Sequence, residues 1–425
     1  MKFIFADSMD MVDPDYDFLN DRSKPSRKVY WDDRYPHEMF STAPYDGVLV
    51  SRATVEGLYT DSQAMRFRRI GAREFLRLDH PKFSALDIFG DCGAFSYVKE
   101  DVPPYTPENM LEFYHDGKFS HGCSVDHIIF EFDPTVKGME GGSEEARMRF
   151  DITLENADVF LNASSALGTG FTPLGVIQGW SPDSMAEAAR RLVSMGYTYL
   201  AVGGMVPLKA AQIRMCLESI RAAIPGSTRL HILGFAKADE ISSFTPYNIT
   251  SFDTTSPLIR AFKDNKQNYY TRVGDVSLRY FTAIRVPQAI ENQRLLRLIK
   301  RGVFRSEDLV KMEKNALIHL RAYDEGYADL EETLEAVMRY SSPLMLEKPY
   351  EEVKHTQKIT TLKAQYLETL TEKPWKKCLC AICQQSSIEV MIFRASNRNR
   401  RRGMHNLQVY KGVIDTLNQQ GSLNG

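Results

Sequence analysis

Between residue 84 and about residue 255 the chain repeats one unit: a short apolar run, a loop, then an amphipathic helix. That alternation narrows the fold more than any other feature. Strands separated by helices cross back over the sheet and pair in parallel, and helices cover both faces of the result. Apolar runs at residues 85–89, 128–132, 173–177, 199–202 and 230–234 read as buried strands, and residues 45–51 as a first one. Ser181-Pro182-Asp183 opens a helix with a cap and an early proline, and Gly196 closes it. Residues 208–223 form another, stopped by Ile224-Pro225-Gly226. For 425 residues, a closed (β/α)8 TIM barrel is expected rather than an open doubly wound sheet. No strand is followed by G-x-G-x-x-G, and Gly168 and Gly170 read as a turn.

In such a barrel the C-terminal ends of the strands line the face where chemistry is done. Asp91 follows Phe89-Gly90, Asp133 follows Glu131-Phe132, and Gln178 follows Val176-Ile177. Gly203-Gly204 follows Val202, and Asp253 follows Ser251-Phe252. One aspartate at a strand end is ordinarily a helix cap. Three of them, beside a Gln-Gly and a Gly-Gly, suggest a site.

A second constellation lies near the end of the chain. Cys378, Cys380 and Cys383 stand close together, and His405 follows. Three thiolates and an imidazole are the donor set of a closed tetrahedral zinc site. Their number is odd and C-x-C-x-x-C is too tight for disulfides. Such a site staples two pieces of chain and leaves no open position for water, so the zinc is expected to be structural. Cys92, Cys123 and Cys216 are scattered and give no disulfide framework, which fits a reducing, cytoplasmic location.

The whole chain is thus expected to be α/β, a TIM barrel with a C-terminal zinc-binding subdomain and a helical insertion. Residues 1–45 read as an irregular N-terminal segment, 46–261 as the barrel, 262–375 as the helical insertion, and 376–425 as the zinc segment with a C-terminal helix. Within the insertion, apolar residues recur at helical spacing in 289–301, 306–321, 329–340 and 352–370. A formal charge of −2 excludes a general attraction to nucleic acid, so any such surface must be local. The densest basic run is Arg394, Arg398, Arg400, Arg401 and Arg402, bracketed by Cys383 and His405. It is the expected contact to a phosphate backbone. A smaller group, Arg66, Arg68, Arg69, Arg73 and Arg77, falls on an expected helix. No stretch approaches the roughly 18 apolar residues of a membrane span, and the apolar start is too short for a signal peptide.

Taken together, these residues resemble the tRNA-guanine transglycosylase superfamily. Asp91-Cys92-Gly93-Ala94-Phe95-Ser96 is similar to its D-S-G-G-[FY]-Q motif, and Asp126 with Phe132-Asp133 to its S-D…F-D segment. Gly175-Val176-Ile177-Gln178-Gly179 resembles its G-[IV]-x-Q-G strand, and Ala201-Val202-Gly203-Gly204 its A-V-G-G loop. Phe252-Asp253 matches its F-D, and the Cys378–Cys383 segment with His405-Asn406-Leu407 resembles its zinc segment. The motifs keep the family's order over roughly residues 85–260 and 376–420. Three features depart from it: Cys92-Gly93-Ala94 and Ser96 in the first motif, Thr254-Thr255-Ser256-Pro257-Leu258 where a basic tRNA-contacting segment is usual, and the long stretch before Cys378. The departures resemble the DNA-modifying branch, the 7-deazaguanine DNA transglycosylases.

The resemblance implies an enzyme that replaces guanine in DNA with 7-cyano-7-deazaguanine (preQ0). It implies Asp253 as the nucleophile at C1′ and Asp91 as the acid and base for the departing and arriving bases. It implies Asp133, Gln178, Gly203 and Gly204 as readers of the base. DNA and preQ0 are the implied partners, with a partner ATPase and a homodimer further possibilities, and the target nucleotide must leave the stack. The alternatives are a tRNA-guanine transglycosylase, a catalytically dead barrel serving as a binding subunit, and a zinc-stapled metabolic barrel. Intact Asp91 and Asp253 oppose the second.

Overall fold

The computed structural model describes residues 1–235, 237–346 and 352–423. Residues 347–351 of the expected insertion and 424–425 of the expected C-terminal segment lie outside the described residues. The chain divides into two compact units: Met1–Met9, Tyr45–Ser256 and Ile414–Gly425 form the first, Asp10–Pro44 and Pro257–Val413 the second.

The first unit is the (β/α)8 TIM barrel. Its strands are β1 (Lys2–Ala6), β2 (Gly47–Ser51), β3 (Asp87–Asp91), β4 (His121–Cys123), β5 (Thr172–Ile177), β6 (Tyr199–Val202), β7 (Arg229–Ile232) and β8 (Ser251–Asp253). All pair in parallel in chain order, and β8 closes onto β1 with Phe3 opposite Phe252. Alternate side chains of these strands fill the interior: Ile4, Leu49, Phe89, Cys123, Leu174, Val176, Tyr199 and Ala201. The helix Pro182–Met195 opens as its sequence dictates. Ser181 Oγ accepts from the Ser184 N–H at 3.1 Å, and Gly196 ends the helix at φ 114°.

Two barrel strands differ from expectation. The segment read as irregular opens with β1, whose Phe3, Ile4 and Phe5 are buried. Residues 128–132 carry no strand. Ile128 and Ile129 are buried all the same, so their apolar run mimics a strand. The pairing positions belong to His121-Gly122-Cys123, where Gly122 lets the Tyr114 and Phe171 rings pack on the backbone.

The second unit gathers pieces that the sequence suggested were separate: residues 10–44, the insertion and the zinc segment. The insertion is not helical throughout. It begins with an antiparallel hairpin, β9 (Tyr269–Val273) and β10 (Ser277–Phe281). Helices Gln293–Lys300, Ser306–Glu325, Leu330–Leu344 and Glu352–Glu372 follow. Leu295, Leu320, Val337, Tyr340 and Tyr366 belong to one core with Ile382, Cys383 and Met404 of the zinc segment. Among the described residues, no helix is long and apolar enough to cross a membrane.

Candidate active site

The barrel's C-terminal mouth holds a cavity of about 430 Å³. Its lining includes Asp91, Asp126, Gln178, Gly203, Gly204 and Asp253, contributed by the ends of five strands and the turns after them. A cavity of that size suits a single small ligand.

Asp91 is the last residue of β3. Its Oδ2 accepts from the Gly93 N–H at 3.0 Å. Burial raises its carboxyl to about 7, and the negative neighbours Asp126 and Asp253 add to the shift. Such a group exchanges protons near neutrality, as an acid–base catalyst needs. Asp253 is the last residue of β8 and is 6% exposed. Its Oδ1 accepts from the Gly234 N–H at 2.9 Å and stands 3.2 Å from His231 Nε2.

The structure corrects the expected base-reading set. Asp133 is exposed and outside the cavity; its Oδ1 accepts from the Thr135 N–H and hydroxyl at 2.8 and 2.7 Å. These two bonds hold its carboxyl below the usual range. Because β4 ends at Cys123, Asp126 reaches the pocket, 2% exposed. The Cys92 thiol donates to Asp126 Oδ1 at 3.2 Å, and Gln178 Nε2 to Oδ2 at 2.7 Å. Burial raises the Asp126 carboxyl, against the pull of those two donors. Gln178 Oε1 accepts from the Ile129 N–H at 3.3 Å, so both ends of its amide are engaged and it positions Asp126. The Gly203 N–H donates to the Ile177 carbonyl at 2.9 Å. What Gly203 supplies is room, since a Cβ there would stand 2.3 Å from Gln178 Nε2. Gly204 lines the cavity at φ 70°.

For the base exchange that the resemblance implies, Asp126→Asn is therefore expected to lower kcat/KM by about 10²-fold, because a buried acceptor pair becomes half donor. Asp133→Asn should change it by less than about twofold, since an amide oxygen still accepts from Thr135. Steady-state exchange kinetics on the two variants compare the positions directly; equal losses would return Asp133 to the site.

The arginine run is turned largely inward and offers little surface to a nucleic acid. Arg398, Arg401 and Arg402 are at most 2% exposed. Arg398 pairs with Asp21 and Glu389 and donates to the Phe18 carbonyl. Arg401 donates to the Asp13 and Pro14 carbonyls, and Arg402 to those of Ala261 and Val390. Arg394 pairs with Asp21 and Glu313. Arg400 is the most open, yet it donates to the Met11 carbonyl and stands 3.8 Å from Asp10. Guanidiniums engaged in this way bind segment 10–44 to the first turns of the last helix, Ser396–Leu423, within the second unit. In the first group, Arg73 is spent on the Leu78, Phe83 and Leu86 carbonyls, whereas Arg68 and Arg69 are exposed.

Cys378, Cys380, Cys383 and His405 come together as the sequence suggests. Their sulfurs stand 3.5, 3.4 and 3.4 Å from His405 Nδ1. Ligands about 2.3 and 2.0 Å from one ion at the tetrahedral angle would be about 3.5 Å apart, so the set fits a metal. His405 Nε2 donates to the Tyr270 carbonyl at 2.8 Å, which leaves the Nδ1 lone pair facing the thiols. The Tyr269 ring stacks on the imidazole at 4.0 Å.

A TIM barrel whose mouth confines acidic side chains of contrasting environment around one small pocket has the layout of an enzyme site equipped for acid–base and nucleophilic chemistry. No protein-family model matches the chain. A curated protein of Salmonella montevideo described as a DNA-guanine transglycosylase is 43% identical over 416 residues, covering 96% of this chain and 95% of that one. The chain therefore belongs to the guanine transglycosylases of the tRNA-guanine transglycosylase superfamily, in their DNA-modifying branch.

Proposed function

We propose that this enzyme exchanges guanine in DNA for preQ0 through a covalent Asp253–glycosyl intermediate. The observation that carries the reading is the joint presence of Asp91, Asp126 and Asp253 around one cavity, with Asp91 at about 7. DNA as the polymer rests on the description of the Salmonella relative.

In the first displacement Asp253 Oδ2 attacks C1′ as the C1′–N9 bond breaks. Asp91, protonated, delivers its proton to the departing guanine. In the second, the incoming base loses its proton to Asp91 and attacks C1′, and the ester bond to Asp253 breaks. Two inversions retain the configuration. Asp126, oriented by Cys92 and Gln178, accepts from the N–H groups of the base edge, and the Gly204 N–H faces the opposite side. Phe95 lines the cavity and offers an exposed ring for stacking.

The target base is extruded from the helix or presented in a single strand, at a cost of a few kcal/mol. Arg68 and Arg69, on the helix after the pocket-lining residues Thr54, Gly57 and Leu58, are the proposed phosphate contacts. A partner ATPase that helps open the duplex, and pairing of two copies, belong to the same proposal. Zinc is the proposed metal at Cys378, Cys380, Cys383 and His405, where it would hold the chain and take no part in the exchange.

Purified protein offered labelled preQ0 with duplex DNA, single-stranded DNA and bulk tRNA tests the reading. Label is expected in DNA, more in single strands than in duplex. Label in tRNA alone would overturn the choice of polymer.

A further inference from the structure

Behind Asp253 lies a buried polar relay that the exchange reaction, as described so far, does not use. His231 Nε2 stands 3.2 Å from Asp253 Oδ1. His231 Nδ1 is 2.5 Å from Ser251 Oγ, which is 2.6 Å from the Tyr199 hydroxyl. His231 and Ser251 are fully buried and Tyr199 is 2% exposed. The Phe89 ring stacks on the imidazole at 5.1 Å and holds its plane.

The proton directions follow from counting donors. Among the described contacts the Tyr199 hydroxyl has one polar partner, Ser251, so its O–H is satisfied by donating there. Ser251 then donates to His231 Nδ1, and His231 Nε2–H donates to Asp253. The reverse order would leave the Tyr199 O–H without an acceptor. Asp253 Oδ1 thus receives two hydrogen bonds, from His231 Nε2 and from the Gly234 N–H at 2.9 Å. Both donors converge on one oxygen, which leaves Oδ2 for C1′.

We infer that His231 is a positioning residue that makes Asp253 a better leaving group in the second displacement. The inference rests on the covalent reading above. In that step the electron pair of the C1′–O bond returns to the Asp253 carboxylate as the incoming base takes C1′ and gives its N9 proton to Asp91. Negative charge rebuilds on a carboxylate whose Oδ1 is already met by two aligned donors. In the first step the same donors hold charge that attack on C1′ must give up, so their removal slows resolution of the adduct more than its formation.

The decisive measurement pairs quenched-flow trapping of the protein–DNA adduct with steady-state exchange, using the full chain and single-stranded DNA. His231→Leu is expected to lower turnover roughly tenfold to a hundredfold and to raise the trapped adduct fraction several-fold. His231→Gln, whose amide N–H reaches the Nε2 position, should recover most of the turnover and most of the normal adduct fraction. Ser251→Ala, which removes the donor to Nδ1 and little volume, should move both quantities the same way by a smaller factor. Turnover lost with the adduct fraction unchanged, in His231→Leu and Ser251→Ala alike, would overturn the role. Failure of the covalent reading is separately visible: wild type would trap no adduct and Asp253→Ala would still exchange.

Discussion

An Asp253→Ala protein is expected to bind single-stranded DNA and preQ0 normally, to trap no adduct, and to lose exchange by about 10⁴-fold or more. Removing the proposed nucleophile would remove the whole two-step route, and what survived would come from binding and the rest of the site. Asp91→Asn should fail differently, losing about 10²- to 10⁴-fold through proton transfer. Its stability adds an independent readout. Burial and two negative neighbours hold the Asp91 carboxyl at about 7, against an ordinary value of 3.8. The folded protein therefore binds this proton more tightly than the unfolded chain. The associated stability is complete below about pH 4 and is lost as pH rises through about 7. Asparagine carries no such charge, so Asp91→Asn should melt higher than wild type at pH 8, by on the order of 2 kcal/mol, and show no gain near pH 4. Thermal unfolding at the two pH values, beside exchange assays, checks both halves. A variant that melts lower at pH 8 would mean favourable contacts hold the carboxylate, and would remove Asp91 as an acid at neutral pH.

The barrel was legible because its signal is repeated: each strand–helix unit restates the period, and one misplaced strand does not change the topology. The misplaced strand explains the error at the site. The Ile128-Ile129-Phe130 run has the pattern of a strand and puts Asp133 at its end, whereas pairing stops at Cys123 and brings Asp126 to the mouth. The arginine run misled for a different reason. A cluster of positive charge reads as a surface unless its partners are visible, and several of those partners, Asp13, Phe18 and Asp21, lie in a segment hundreds of positions away. That complementarity is long-range, and no local pattern announces it. His231 was hidden inside an apolar run, though its place carried a clue: with Ser251 and Asp253 it makes three polar groups on neighbouring strands at inward-facing positions. The Cys378–Cys380–Cys383–His405 cluster needed no such help, since the tight spacing of its cysteines leaves few ways for the chain to arrange them.

Stripping the proposed zinc is expected to unfold the second unit. Structural zinc in small domains contributes about 10 kcal/mol or more at neutral pH, comparable to the whole stability of a typical domain. Here the ligands draw together the Cys378–Cys383 turn and the last helix, inside a core that also holds Tyr269, Trp375, Ile382 and Met404. Without the ion, three thiols and an imidazole would share one half-buried space. Chelation, or Cys383→Ser at a position 2% exposed, should therefore expose residues 257–413 to limited proteolysis and abolish that unit's cooperative melting transition. Metal analysis of the untreated protein should find about one zinc per chain. Exchange activity should fall with the fold and return with it when zinc is restored, because four protein ligands leave the ion no position for water or substrate. Metal-free protein that keeps its melting temperature would remove the staple. Activity lost while the fold persists would place the metal in the chemistry.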